Sequence, residues 1–264
     1  LSANMDTFRL ERNIWHEFDV MSVFSNFTKW QGQLTEAKDA NRIMRTAFQA
    51  LKSGMPGVVH VDFPKNILPN PIDVESTDLS LKGGAHSSAL ANRPRPETWA
   101  IEQAADLLMH AERPVIVAGR GVRWADASDQ LIALAERLTV PVITTEMGRG
   151  SIPEDHALAG GIVGHFGHST ANGLVREADL VLGLGSRFLN VNTINWSLIP
   201  EDAKIIQVEN DPLEIGKQYA VTLGVHADSG AFLNDLLAHL DAGDLRVEGG
   251  TGHPRIKRVA ELTA

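Results

Sequence analysis

Three short stretches put glycine, a guanidinium and a carboxylate where a phosphate ester could be held. Gly119-Arg120-Gly121 follows the apolar run Pro114–Ala118. A strand that ends in Gly-x-Gly before a helix can bring backbone N–H groups up to a phosphate, although an ordinary strand–helix turn looks the same. The third glycine of a dinucleotide fingerprint would fall at Trp124, whose indole blocks the close helix–strand approach that glycine permits. Gly185-Ser186-Arg187 sets a guanidinium beside exposed backbone, suited to a diphosphate, a carboxylate or a surface acid of the protein itself. Glu209-Asn210-Asp211-Pro212 closes an apolar run with acceptors that suit ribose hydroxyls, or with a simple helix cap at Asp211-Pro212.

Two further glycine-rich loops, Met147-Gly148-Arg149-Gly150 and Val163-Gly164-His165-Phe166-Gly167, stand where an open α/β sheet binds ligands. Glu146 occupies the place of the ribose acid in an NAD-binding fold, which keeps an NAD-dependent oxidoreductase open as one reading. A stand-alone nucleotide-binding module is another. Other chemistries lack their residues. The chain has no cysteine, so disulfides, thiolate metal sites and cysteine nucleophiles are excluded together. His156, His165 and His168 lack the i, i+4 spacing of a helical zinc pair, and no metal site is assigned. No G-x-S-x-G, P-loop or H-E-x-x-H occurs.

These loops need a frame. Apolar runs at Pro114–Gly119, Pro141–Thr145, Leu180–Gly185 and Lys204–Val208, with a shorter one at Val221–Val225, read as strands. They alternate with helical periodicity over Glu97–Ala111, Ala125–Leu138, Ser169–Ala178 and Ser229–Leu240. Alternation of this kind predicts an α/β fold, a doubly wound parallel sheet with right-handed crossovers. Nearly unbroken apolar strands such as Leu180–Leu184 predict burial on both faces. Ahead of this region, Ala37–Leu51 reads as a helix and Val58–Pro64 as the single clear buried strand of the first 66 residues. Residues 67–96 read as a linker, rich in Pro, Asn, Ser and Gly.

The chain has 264 residues, 43% hydrophobic and 22% charged, with a formal charge of −9. That balance predicts a globular protein and argues against nucleic acid or an anionic membrane as partner. No signal peptide or long apolar segment is visible, so a cytoplasmic location is expected.

Taken in order, the segments Trp15–Asp19 (WHEFD), Thr28–Trp30 (TKW), Ser53–Lys65 (SGMPGVVHVDFPK), RPVIVAGRGV, Val140–His156, Ala178–Phe188 and Ala203–Lys217 resemble the thiamine-diphosphate-dependent enzymes of the acetolactate synthase group. The resemblance implies a Rossmann-like central domain over 97–242, preceded over 1–66 by the end of a pyrimidine-binding domain. Residues 243–264 would lead toward a diphosphate-binding domain. It implies thiamine diphosphate and Mg2+ as cofactors of the parent protein, a 2-keto acid as substrate, and a homodimer or homotetramer. The activating glutamate and the GDG…N magnesium motif are not found, so no catalytic residue is assigned and the chain alone is expected not to turn over.

Carried over position by position, the central-domain ligands are Gly119, Arg120, Gly121, Thr145, Met147, Gly164, His165, Phe166, Gly185, Ser186, Arg187 and Glu209, with Lys65 from the first segment. FAD, ADP or neither remains open there. Met55 and Val191 stand where the family carries arginines, and Trp15-His16 replaces a phenylalanine–glutamine pair. These departures point away from FAD and toward a less specialised carboligase or decarboxylase.

Overall fold

Side-chain alternation along five-residue apolar strands decides the layering of the larger part of the chain. The computed structural model describes residues 1–9, 12–71, 93–247, 249–250 and 252–263, and the chain divides into two units, Leu1–Asn92 and Arg93–Ala264. In the second unit, β4 (Pro114–Ala118), β5 (Val142–Thr144), β6 (Ala159–Ile162), β7 (Leu180–Leu184), β8 (Lys204–Glu209) and β9 (Leu223–His226) form one parallel sheet. Their order is β6-β5-β4-β7-β8-β9, which is 3-2-1-4-5-6 counted from β4. The order reverses between β4 and β7, the topological switch point of a doubly wound sheet.

Ile116 and Ala118 of β4, with Leu180, Leu182 and Leu184 of β7, face one helical layer. That layer comprises α3 (Thr98–His110), α4 (Arg120–Ala125), α5 (Ser128–Leu138) and α7 (Ser229–Ala242). Val115, Val117 and Val181 face the other, built on α6 (Ser169–Arg176) and α8 (Pro254–Thr263). Each fully buried Leu or Ile contributes about 1.5–3 kcal/mol. Gly183 leaves a gap on the second face that the Phe188 ring fills; a Cβ there would lie 2.4 Å from Phe188 Cζ.

Several expectations are corrected. The helix expected over Ala125–Leu138 begins at Ser128 as α5, and α4 ahead of it is a separate helix, ended by Asp126 in the left-handed conformation (φ 53°). The edge strand β6 has no apolar run to announce it, being Ala-Gly-Gly-Ile with Gly161 at φ 88° and a register shift against β5. No element is expected over 243–264, yet α8 forms there and packs on α6, with Thr170 Oγ1 donating to Leu262 O at 2.8 Å. Arg255 anchors it by donating to Ala111 O (2.7 Å) and Leu138 O (2.8 Å).

The first unit holds three parallel strands, not one. β1 (Ser2–Asn4), β2 (Trp30–Gln33) and β3 (Val59–Pro64) pair in the order β1-β3-β2. Helix α2 (Ala40–Lys52) covers one face through Ile43 and Ala47, and α1 (Val20–Ser25) lies against β2 and β3. Most of the expected linker, residues 72–92, lies outside the described residues.

Candidate functional site

In a parallel sheet every strand ends on the same edge, so the loops after β4, β5, β6, β7 and β8 gather along one rim of the second unit. There they bring together Gly119, Arg120, Gly121, Thr145, Met147, Gly164, His165, Phe166, Gly185, Ser186, Arg187 and Glu209, the last of these closing β8 and the others following a strand end. Lys65 belongs to the first unit; its side chain is exposed and its N–H donates to Asn4 O at 2.9 Å.

The glycines do something other than lie bare. Gly119 N donates to Leu184 O (2.9 Å), Gly121 N to Gly185 O (3.2 Å) and Gly185 N to Val208 O (2.9 Å). A Cβ on Gly119 would lie 2.2 Å from Gly185 O, and one on Gly121 2.5 Å from Gly185 Cα. Gly148 is set against Ala118 O in the same way, at 2.1 Å. The turns after β4, β5 and β7 therefore clasp one another, backbone to backbone, at the switch point. The amides of Gly119 and Gly121, expected to be open to a ligand, are spent within this clasp. Thr145 tightens it: its N–H donates to Ala118 O (3.0 Å) and its Oγ1 accepts from Gly148 N (3.2 Å).

What the rim leaves open is side-chain chemistry. Arg187 is half-buried and forms no hydrogen bond or ion pair among the described residues. Glu209 on the adjacent strand is 7% exposed, with one oxygen accepting from Asn210 N at 2.9 Å. Burial pushes its carboxyl above the ordinary range, opposed by that hydrogen bond and by the charge of Arg187. Arg120 lies over the Trp124 ring at 5.2 Å, and its Nε is buried without a partner among the described residues. Arg120, Arg123, Trp124, Glu146 and Met147 line an open depression of about 480 Å³. Glu146 there accepts from the Asn192 amide. Ser186 is buried and its carbonyl accepts from Gln207 Nε2 at 3.2 Å.

On the far side of the rim Gly164 is at φ 110°, where a Cβ would meet Val191 O at 2.2 Å. Asn172 brackets it, accepting from Gly164 N (2.8 Å) and donating to Gly164 O (3.0 Å). His165 and Phe166 project beyond, Phe166 being 81% exposed. Asp211 takes the bland role, accepting from Leu213 N at 3.0 Å as the cap of a short 3-10 turn.

Sequence reasoning missed Arg123, Asn172 and Gln207. Arg123 Nη1 donates to Arg149 O at 2.7 Å and so secures the Met147–Gly150 loop. Gln207 carried a readable signal, a lone amide inside the apolar run Ile205–Val208. Asn172 carried none, since its partner is reached only through the fold.

Glu209 permits a pH prediction. With its folded pKa raised, the unfolded chain gives up this proton first as pH rises, so the carboxyl's contribution to stability is lost upward through that window. Glu209→Gln keeps the acceptor for Asn210 N but never ionises. Its urea midpoint is expected to exceed that of the wild type above about pH 5, where a carboxyl ionises in the unfolded chain, and the two should converge in more acid solution. An unchanged gap across pH would contradict this.

Among the described residues no helix is long and apolar enough to cross a membrane. Nor do three or more His, Asp or Glu side chains converge as a metal would need.

Comparison with known proteins agrees with this geometry. The profile of the thiamine pyrophosphate enzyme central domain matches residues 101–236. The chain belongs to that family. It is 35% identical over 246 residues to a probable acetolactate synthase large subunit of Methanocaldococcus jannaschii, covering 93% of this chain and 41% of that protein. It is 34% identical to a glyoxylate carboligase of Escherichia coli O157:H7 (87% of this chain, 38% of that protein). It is also 34% identical to a sulfoacetaldehyde acetyltransferase of Rhodobacter capsulatus (86% and 38%). The chain thus spans about two fifths of the length of these relatives.

Proposed function

We propose that this chain is part of a thiamine-diphosphate-dependent carboligase or decarboxylase acting on 2-keto acids, and supplies its central framework rather than its reacting groups. The observation that carries the reading is the clasped switch point on a 3-2-1-4-5-6 sheet, within the span matched by the family's central domain. The relatives' names, a synthase, a carboligase and an acetyltransferase, support transfer or joining of small acyl units. Thiamine diphosphate, when bound, supplies the nucleophile that attacks the keto carbon.

The chain's own residues suit a different ligand, the adenosine diphosphate moiety of a nucleotide. Arg187 offers an uncommitted fork to a diphosphate, and Glu209 offers a carboxylate to ribose hydroxyls. The unpartnered Arg120 Nε at the rim also fits an acceptor-rich group. A full flavin fits less well, because Val191 stands where the family carries an arginine. That guanidinium would contribute roughly 1.5–3 kcal/mol in charge-assisted hydrogen bonding.

Exposed aromatic residues of the first unit, Trp15 (84%) and Phe27 (71%) among them, support assembly with further protein surface as a homodimer or homotetramer. Isothermal calorimetry with ADP, FAD and NADH on the same preparation tests the reading. ADP binding stronger than that of FAD is expected, with no response to NADH. Preferential NADH binding would favour an oxidoreductase using Glu146.

A further inference from the structure

One face of the small sheet in the first unit is polar along its length. Gln31 and Gln33 of β2, His60 and Asp62 of β3, and Ser2 of β1 share it, while Val59, Val61 and Phe63 turn the other way and pack with α2. The register pairs Asp62 with Ser2 on one side and Gln33 on the other, and pairs His60 with Gln31. Phe24 of α1 stacks on the imidazole at 4.4 Å, and His60 is 3% exposed.

Counting protons across this face leaves a deficit. Asp62 is fully buried and accepts from Ser2 Oγ (2.6 Å) and from Gln33 Nε2 (2.9 Å). The single hydroxyl proton of Ser2 is thereby committed. Ser2 Oγ, 2.7 Å from His60 Nε2, must therefore accept from it. That places the ring proton on Nε2 and leaves Nδ1 a bare acceptor. Nδ1 is buried and has no partner among the described residues. The same holds for Gln31 Oε1, on the residue paired directly across the sheet. Two buried acceptors thus stand on paired residues, each without a donor among the described residues, an arrangement native interiors avoid.

We propose that this face holds a site for one water-sized hydrogen-bond donor, water or ammonium, bridging His60 Nδ1 and Gln31 Oε1. Two N–H or O–H bonds on one small molecule match the two free acceptors. A metal ion is poorly served, since the oxygens of Asp62 are already engaged. Burial holds the imidazole below its usual pKa against the pull of Asp62, so the ring stays neutral and able to accept at pH 7.

Nitrogen-15 NMR of the full chain with labelled histidine reads the site directly, with His60→Gln assigning the signal. The expected result is a ring protonated at Nε2 whose Nδ1 resonance is shifted as in a hydrogen-bond acceptor, and which moves toward the free-acceptor position in Gln31→Leu. A magnetisation-transfer peak from long-lived water to the ring identifies water. A shift that responds to ammonium chloride and not to potassium chloride identifies ammonium. A ring protonated at Nδ1, or an Nδ1 at the free position in the wild type, would overturn the proposal.

Discussion

Gly185→Ala should unfold the second unit at urea concentrations the wild type withstands. Two costs add at this position. Gly185 has φ 58°, a conformation that costs an L-residue about 1–2 kcal/mol. Its Cβ would also lie 2.3 Å from Gly121 Cα and 2.6 Å from Gly121 N, backbone atoms that a rotamer change cannot clear. Overpacking of this kind costs about 1–3 kcal/mol, and the clasp is held on both sides by strand-end hydrogen bonds that would shift with it. A total of about 2–5 kcal/mol is expected. Gly216 supplies the comparison. It has a similar φ of 72°, but the nearest atom to its Cβ is 3.9 Å away, so Gly216→Ala should show the conformational cost alone. Equal destabilisation of the two variants would mean that the clasp contributes nothing.

Arg187→Ala should weaken ADP binding about 10- to 150-fold, the loss of roughly 1.5–3 kcal/mol of charge-assisted hydrogen bonding. Folding should be little affected, because the guanidinium has no partner among the described residues to abandon. Arg187→Lys should recover only part of the affinity, since an ammonium keeps the charge but loses the planar fork. Calorimetry gives affinity and urea unfolding gives stability, so the two effects separate. An unchanged ADP affinity in Arg187→Ala would remove this residue from the ligand rim.

Much of the central sheet could be read from periodicity because its strands are buried on both faces and its helices on one. Leu180–Leu184 and Lys204–Glu209 announce themselves by composition alone. The elements that escaped lack that contrast. Strand β6 is Ala-Gly-Gly-Ile at a sheet edge. Strand β2 is Trp-Gln-Gly-Gln, whose polar residues face buried partners rather than solvent, so alternation reads as loop. The end of α4 depends on one left-handed residue, Asp126, which local sequence does not mark. At the site, the glycine turns could be located but not their partner. That Gly121 packs on Gly185, and not on a phosphate, follows from the adjacency of β4 and β7, which strand order supplies and local sequence does not. The raised pKa of Glu209 is likewise a property of burial that composition does not reveal.

The division of labour between framework and reacting groups is open to direct assay. The 264-residue chain, given thiamine diphosphate, Mg2+ and pyruvate or glyoxylate, is followed for keto-acid loss and carbon dioxide release. Consumption no faster than in the protein-free control is expected. Sustained turnover by this chain, abolished by a substitution within it, would contradict the assignment of the chemistry to groups outside it.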